Sequence, residues 1–190
     1  MFFAYILAGV MVFWLIAKHM NKQRNHEKAV EKVSARLKKI CGKPGDVLKN
    51  ATLNLPEGKM TFDAVLMDKR GVYLVRTYGW GIKIYGTPDG AMWRREDAKR
   101  KEEFENPLLE LKKGAAEITK VMEENGVQNL KVMPMVVFAD NFQTPELYLG
   151  YGSFSTTYQE LKNWYKKQSG VKEVQYDYDK VSSIIKELAK

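Results

Sequence analysis

KMTFDAVLMDKRGVYLVRTYG, residues 59 to 79, decides the fold. Two runs rich in aliphatic, aromatic and β-branched residues flank a DKRG turn, the pattern of a hairpin of buried strands. Side chains on a strand alternate faces, so Arg76 shares a face with Val72, Leu74 and Tyr78. A charge on such a face stays buried only when it is paired.

Upstream of the hairpin, VLKNATLNL (47–55) is a further strand, ended by Pro56 and Gly58. Downstream, GIKIYG (81–86) is a short strand before the turn TPDG, and AMWRRED leads into a charged stretch. ENPLLELKKGAAEITKVMEENG (105–126) is a helix with Leu108, Leu111, Ala115, Ile118 and Met122 on one face. Pro107 suits its first turn and Gly126 its end. LKVMPMVVFAD (130–140) is another buried strand, TTYQELKNWYKKQSG (156–170) a helix capped by Thr156 or Thr157, and DKVSSIIKELAK a closing helix. Ahead of all these, NKQRNHEKAVEKVSARLKKICGK (21–43) is helical, with Val30, Val33, Leu37 and Ile40 forming its stripe. This order predicts one α/β domain over 21–190, a mixed sheet flanked by helices.

The N-terminus reads as a separate object. FFAYILAGVMVFWLIA, residues 2–17, carries no charge, and Lys18, Lys22, Arg24 and Lys28 follow it. A run of this length stands at the lower limit for a membrane-spanning helix. With basic residues only on its C-terminal side, it predicts a transmembrane anchor over residues 1–20, membrane contact through 2–17, and a cytoplasmic folded domain on a single-pass cell-membrane protein.

Composition narrows the chemistry. The lone cysteine, Cys41, excludes an internal disulfide framework and a cysteine-cluster zinc site. His19 and His26 both precede the strands, which speaks against a histidine metal site or triad. A formal charge of +8, dispersed in KK, RR and KRK clusters, suits an anionic partner or a solvated basic surface.

Taken together, Asp63 in FDAVLMDKRGVYLVRTYG, Gly71, Gly86 and Trp93 at their intervals, Asn106-Pro107 in ENPLLE and the core strand VMPMVVFAD resemble the nuclease-related domain family over about residues 27 to 141. That family is similar to the restriction-endonuclease-like nucleases. The resemblance implies a restriction-endonuclease-like mixed sheet flanked by helices, here preceded by the transmembrane helix. It also implies, for active members, two carboxylates holding a divalent cation such as Mg or Mn, with a lysine orienting water.

The departures carry the functional expectation. Where the family has Glu-x-Lys, this chain has Arg76-Thr77-Tyr78; where it has Gln after Asn-Pro, this chain has Glu110; Val30 with Glu31 fills the slot of its Gly-Glu. An arginine cannot ligate a cation, so the expected cofactor is none and the expected site is vestigial: Asp63, Arg76, Tyr78 and Glu110. In the arrangement that the resemblance implies, Asp63 and Arg76 lie on neighbouring strands, close enough to pair, with the Tyr78 hydroxyl completing the network. Arg76 facing water from an edge strand is the plainer reading. Glu110 is either a solvent-facing helix residue or a carboxylate that rebuilds a Mg or Mn site with Asp63. Lys83, Arg94, Arg95, Lys99, Arg100 and Lys101 are candidates to follow a phosphate backbone, although acidic residues interleave them. Trp80 and Trp93 are either base-stacking platforms or core. GWGIKIYG lacks the spacing and lysine of a P-loop. The domain is thus expected to be a membrane-anchored, catalytically degenerate module binding nucleic acid in a sequence-tolerant way, or a protein. An active nuclease with relocated ligands and a structural membrane-associated subunit are the alternatives.

Overall fold

The computed structural model describes residues 2–23, 26–97, 100–140, 143–168 and 176–190. Helix α1 (Phe2–Gln23) leads into α2 (His26–Cys41), then β1 (Gly45–Leu55), β2 (Gly58–Asp68) and β3 (Gly71–Tyr78). Strands β4 (Lys83–Gly86), β5 (Met92–Glu96) and β6 (Lys101–Glu105) follow, then α3 (Pro107–Glu124) and β7 (Val132–Phe138). Two short strands, β8 (Glu146–Leu149) and β9 (Ser155–Thr157), precede α4 (Leu161–Gln168) and α5 (Tyr178–Leu188).

The strands form two sheets rather than the single one expected. The larger is mixed, in the order β1-β2-β3-β7-β9, and the smaller runs β6-β5-β4-β8. The β2–β3 hairpin turns tightly, Asp68 facing Gly71 in register. β7 and β9 then add in parallel to β3. Gly71 is required at that seam: with φ of 142°, an added Cβ would lie 2.1 Å from the Lys131 carbonyl oxygen, which accepts the Val72 N–H.

Both faces of the large sheet are covered, which explains why the hairpin reads as a nearly continuous apolar run. On one face Val65, Met67, Val72 and Leu74 pack against Leu108, Leu111 and Ile118 of α3 and against Val181 and Ile185 of α5. On the other, Leu66, Tyr73 and Val75 meet Ala29, Val33 and Leu37 of α2 and Leu161 and Tyr165 of α4. Period-2 alternation therefore sorts the hairpin between two helical layers.

Four strands differ from the sequence expectation, and β5 (MWRRE) is the first, its residues having been read only as leading into a charged stretch. β6 (KEEFE) lies in the stretch read only as charged, and its residues are stabilised by cross-strand partners: Trp93 faces Phe104 and Arg95 faces Glu102. β8 was not foreseen. Thr156 and Thr157 belong to β9, and helix α4 starts later, at Leu161.

The N-terminal expectation is corrected. Among the described residues, no helix is long and apolar enough to cross a membrane. The uncharged run, 2–17, rises only about 24 Å at 1.5 Å per residue, short of the roughly 30 Å hydrocarbon core. The transmembrane helix, the membrane contact through 2–17, the anchored or membrane-subunit functions and the single-pass cell-membrane placement all fall with it.

Candidate functional site

Asp63 sits at an interruption of the β1–β2 ladder. Pairing runs through Lys49–Ala64 and resumes at Ala51–Phe62, and Asn50, which would face Asp63, has a φ of 50°. The Asp63 carboxylate is almost wholly buried, at 5% exposure. One oxygen accepts the Thr77 backbone N–H at 2.6 Å, a charge-assisted bond from the neighbouring strand. Its other oxygen lies 3.5 Å from Arg76 Nη1.

Arg76 projects from β3 on the face that carries Val72 and Leu74, toward α3. Its Nη2 donates to Glu110 Oε2 at 2.7 Å and to the Thr61 carbonyl at 3.1 Å. The guanidinium therefore lies between the two carboxylates. Their exposure differs sharply: the Asp63 side chain is 6% exposed and that of Glu110 48%. The inner pair is shielded from water, whereas the outer one is screened and adjustable.

This geometry does not fit a divalent cation. The position between Asp63 and Glu110 is filled by a guanidinium that is always charged and offers donors only. Among the described residues, no group of three or more His, Cys, Asp and Glu is placed to hold a metal ion. The rebuilt Mg or Mn site of Asp63 with Glu110, and the active nuclease reading built on it, are corrected accordingly.

Tyr78 is placed differently from expectation. Its ring stacks on Phe138 and packs against Trp80 and Phe104, with centroids 5.5, 4.8 and 5.4 Å away. Burial pushes its hydroxyl up to about 12; nearby Arg76 opposes that shift, while Asp63, Glu110 and Glu105 add to it.

His26 was set aside by the sequence reading and is brought to the site. In the first turn of α2, its Nε2 lies 3.4 Å from Asp63 Oδ1. No sequence signal marks it, because only the packing of α2 on the sheet carries it there.

The Asn106-Pro107 pair has a structural role. Asn106 caps α3 by accepting the Leu108 N–H at 3.0 Å, and Pro107 occupies the first turn. The Asn106 amide also donates to the carbonyls of Pro88 at 3.2 Å and Gly90 at 2.7 Å. The residue thus clamps the β4–β5 turn onto the helix that presents Glu110. Gly86 and Trp93 form a packing pair, since a Cβ on Gly86 would lie 2.3 Å from the indole. Trp93 is core, 1% exposed, and its Nε1 donates to the Thr87 carbonyl at 2.8 Å.

The expected phosphate-following residues lie on or beside the small sheet, mostly with acidic partners. Arg94 pairs with Glu96 at 3.7 Å, Lys101 with Glu96 at 2.9 Å, and Arg95 with Glu102. Lys83 faces Glu96 in register. The Arg100 carbonyl accepts the Asp97 N–H and the Arg100 N–H donates to the Asp97 carboxylate; with Arg95, Arg100 lines a small cavity that also holds Glu96, Asp97 and Asp140. Trp80, half-buried, lies under the Arg95 guanidinium at 4.2 Å. Lys99 falls outside the described residues.

A mixed sheet between helical layers thus carries Asp63 on its second strand and Arg76 near the end of its third, an α/β domain with an arginine between two carboxylates. The family model for the nuclease-related domain matches residues 22–139, and the chain belongs to that family. It is also 32% identical over 96 residues to an uncharacterized protein of Bacillus anthracis, a match covering 50% of this chain and 44% of that protein. This chain therefore spans less than half of that relative's length. No solved structure matches it.

Proposed function

We propose that this domain binds the phosphodiester backbone of nucleic acid through Arg76 and does so without metal-dependent cleavage. The observation that carries the reading is the guanidinium held between Asp63 and Glu110, 3.5 and 2.7 Å from their oxygens. A nuclease of this family type would use a cation there to meet a phosphate oxygen. A guanidinium supplies the same sign of charge and a planar fork that matches phosphate. It supplies neither Lewis acidity nor activated water, so binding is separated from cutting.

Asp63 holds the inner edge of the guanidinium, and Glu110, half-exposed on α3, occupies the outer edge as an internal anion. A phosphate oxygen displaces Glu110 at little cost, because exposed ion pairs contribute roughly 0–1 kcal/mol. Among the described residues no element is shaped to read base edges, so recognition is sequence-tolerant and salt-sensitive.

Fluorescence anisotropy with labelled single- and double-stranded DNA and RNA, in EDTA, tests the reading. Binding should fall steeply with salt, and Glu110→Gln should tighten it severalfold by removing the competing anion. Absence of binding at low salt would refute the proposal. So would magnesium-dependent cutting by the unmodified chain that Asp63→Ala abolishes.

A further inference from the structure

A cavity of the domain lies away from Arg76, between α2 and α4 on the opposite side of the large sheet. It has a volume of about 590 Å³ and shares no lining residue with the Asp63 centre. Six cations line it: Lys32, Arg36 and Lys39 from α2, Arg70 from the β2–β3 turn, and Lys162 and Lys166 from α4. No carboxylate is among its lining residues.

The way its two arginines are held sets this cavity apart. Elsewhere, Arg76, Arg94 and Arg95 each meet a carboxylate. Here Arg36 donates to the Gln159 carbonyl at 3.3 Å and lies over the Tyr158 ring at 4.6 Å. Arg70 donates to the Tyr165 carbonyl at 3.0 Å and lies over the Tyr165 ring at 4.1 Å. Neutral groups orient these guanidiniums and leave their charge uncancelled at the point of contact. Asp68, behind the wall, is committed to the Tyr165 hydroxyl and the Arg70 backbone N–H. Gathering like charges on facing helices raises the free energy of the empty site. An anion entering the cavity relieves that repulsion.

We propose that this cavity is a metal-independent binding site for a compact polyphosphate, the chemistry shared by inorganic polyphosphate and the phosphate tail of a nucleoside triphosphate. Its size falls within the roughly 300–1,000 Å³ range of small-molecule sites. Its cations converge from two walls and a floor, which suits several charges on adjacent phosphates rather than one strand crossing a surface. The rings of Tyr158 and Tyr165 already carry cations, Lys32 and Arg36 on the first and Arg70 on the second, so they orient charge rather than stack bases. Recognition is therefore of the phosphates.

Calorimetric titration of the full chain with sodium tripolyphosphate, in EDTA and at low salt, tests the proposal. Binding should occur, weaken with salt, and exceed that of inorganic monophosphate by at least about tenfold, since each 1.4 kcal/mol is a factor of ten. Lys39→Glu with Lys162→Glu, both on exposed side chains, should weaken it by about tenfold or more. Lys59→Glu with Lys120→Glu, an equal charge change away from the cavity, should leave it within about twofold. A nucleoside triphosphate binding as tightly as tripolyphosphate identifies the phosphate tail as sufficient, and tighter binding identifies a nucleotide as the ligand. No tripolyphosphate binding at low salt overturns the proposal, as does equal weakening by both variant pairs. Oligonucleotide binding that is lost in the Lys39/Lys162 variant, without tripolyphosphate binding, also overturns it. The Arg76 reading stands or falls separately, on the response of nucleic-acid binding to Glu110→Gln.

Discussion

Replacing Arg76 by methionine keeps the aliphatic stem and removes the charge, leaving Asp63 buried with the Thr77 N–H and His26 beside it. Breaking a fully buried ion pair from one side costs roughly 3–5 kcal/mol. Arg76 is 20% exposed and its outer partner Glu110 is half in water, so the loss should sit below that range, at about 2–3 kcal/mol. Asp63→Asn removes the charge but keeps an oxygen for the Thr77 N–H, and Arg76 retains Glu110. That change should cost about 1–2 kcal/mol. In the double variant neither charge is stranded, so its cost should be at least about 1 kcal/mol less than the sum. Urea unfolding, followed by tryptophan fluorescence and read at constant m, measures all three. Additivity within about 0.5 kcal/mol would show that the two groups are not coupled and would refute the account of the centre.

Three further outcomes are expected. Asn106→Ala should lower stability by about 2–3 kcal/mol in the same urea assay, because it removes the α3 cap and leaves the Gly90 carbonyl without its donor, the Pro88 carbonyl keeping only Lys112 Nζ at 3.4 Å. Arg76→Glu should create manganese affinity that the unmodified chain lacks, detectable by calorimetry, because it replaces the internal cation with a third carboxylate between Asp63 and Glu110. Stability should fall as pH rises above about 10: burial raises Tyr73, Tyr78, Tyr165 and Tyr176, so the unfolded chain ionises first and binds fewer protons than the folded one. Thermal melts between pH 8 and pH 11 check this, and a flat profile would contradict the burial of these hydroxyls.

The sequence by itself determined the central hairpin, the α3 helix and the buried β7 strand. Their signals are local: alternating apolar runs around a tight turn, a 3.6-residue stripe, and Asn-Pro and Gly at the helix ends. It also placed Arg76 on the face of Val72 and Leu74, because strand parity follows from chain spacing alone. Parity could not say whether that face met water or a carboxylate. Tertiary structure decided that, by laying α3 so that Glu110 reaches Arg76 and by bringing His26 of α2 to Asp63. The charged strand β6 was hidden for a related reason, since its stability lies in cross-strand partners rather than in its own pattern. The polyphosphate cavity was hidden most completely. Lys39 and Lys162 are far apart along the chain, and each reads locally as an ordinary solvated helix lysine. Only the packing of α2 and α4 on one face of the sheet gathers such charges around a single hollow, where their repulsion becomes an attraction for an anion.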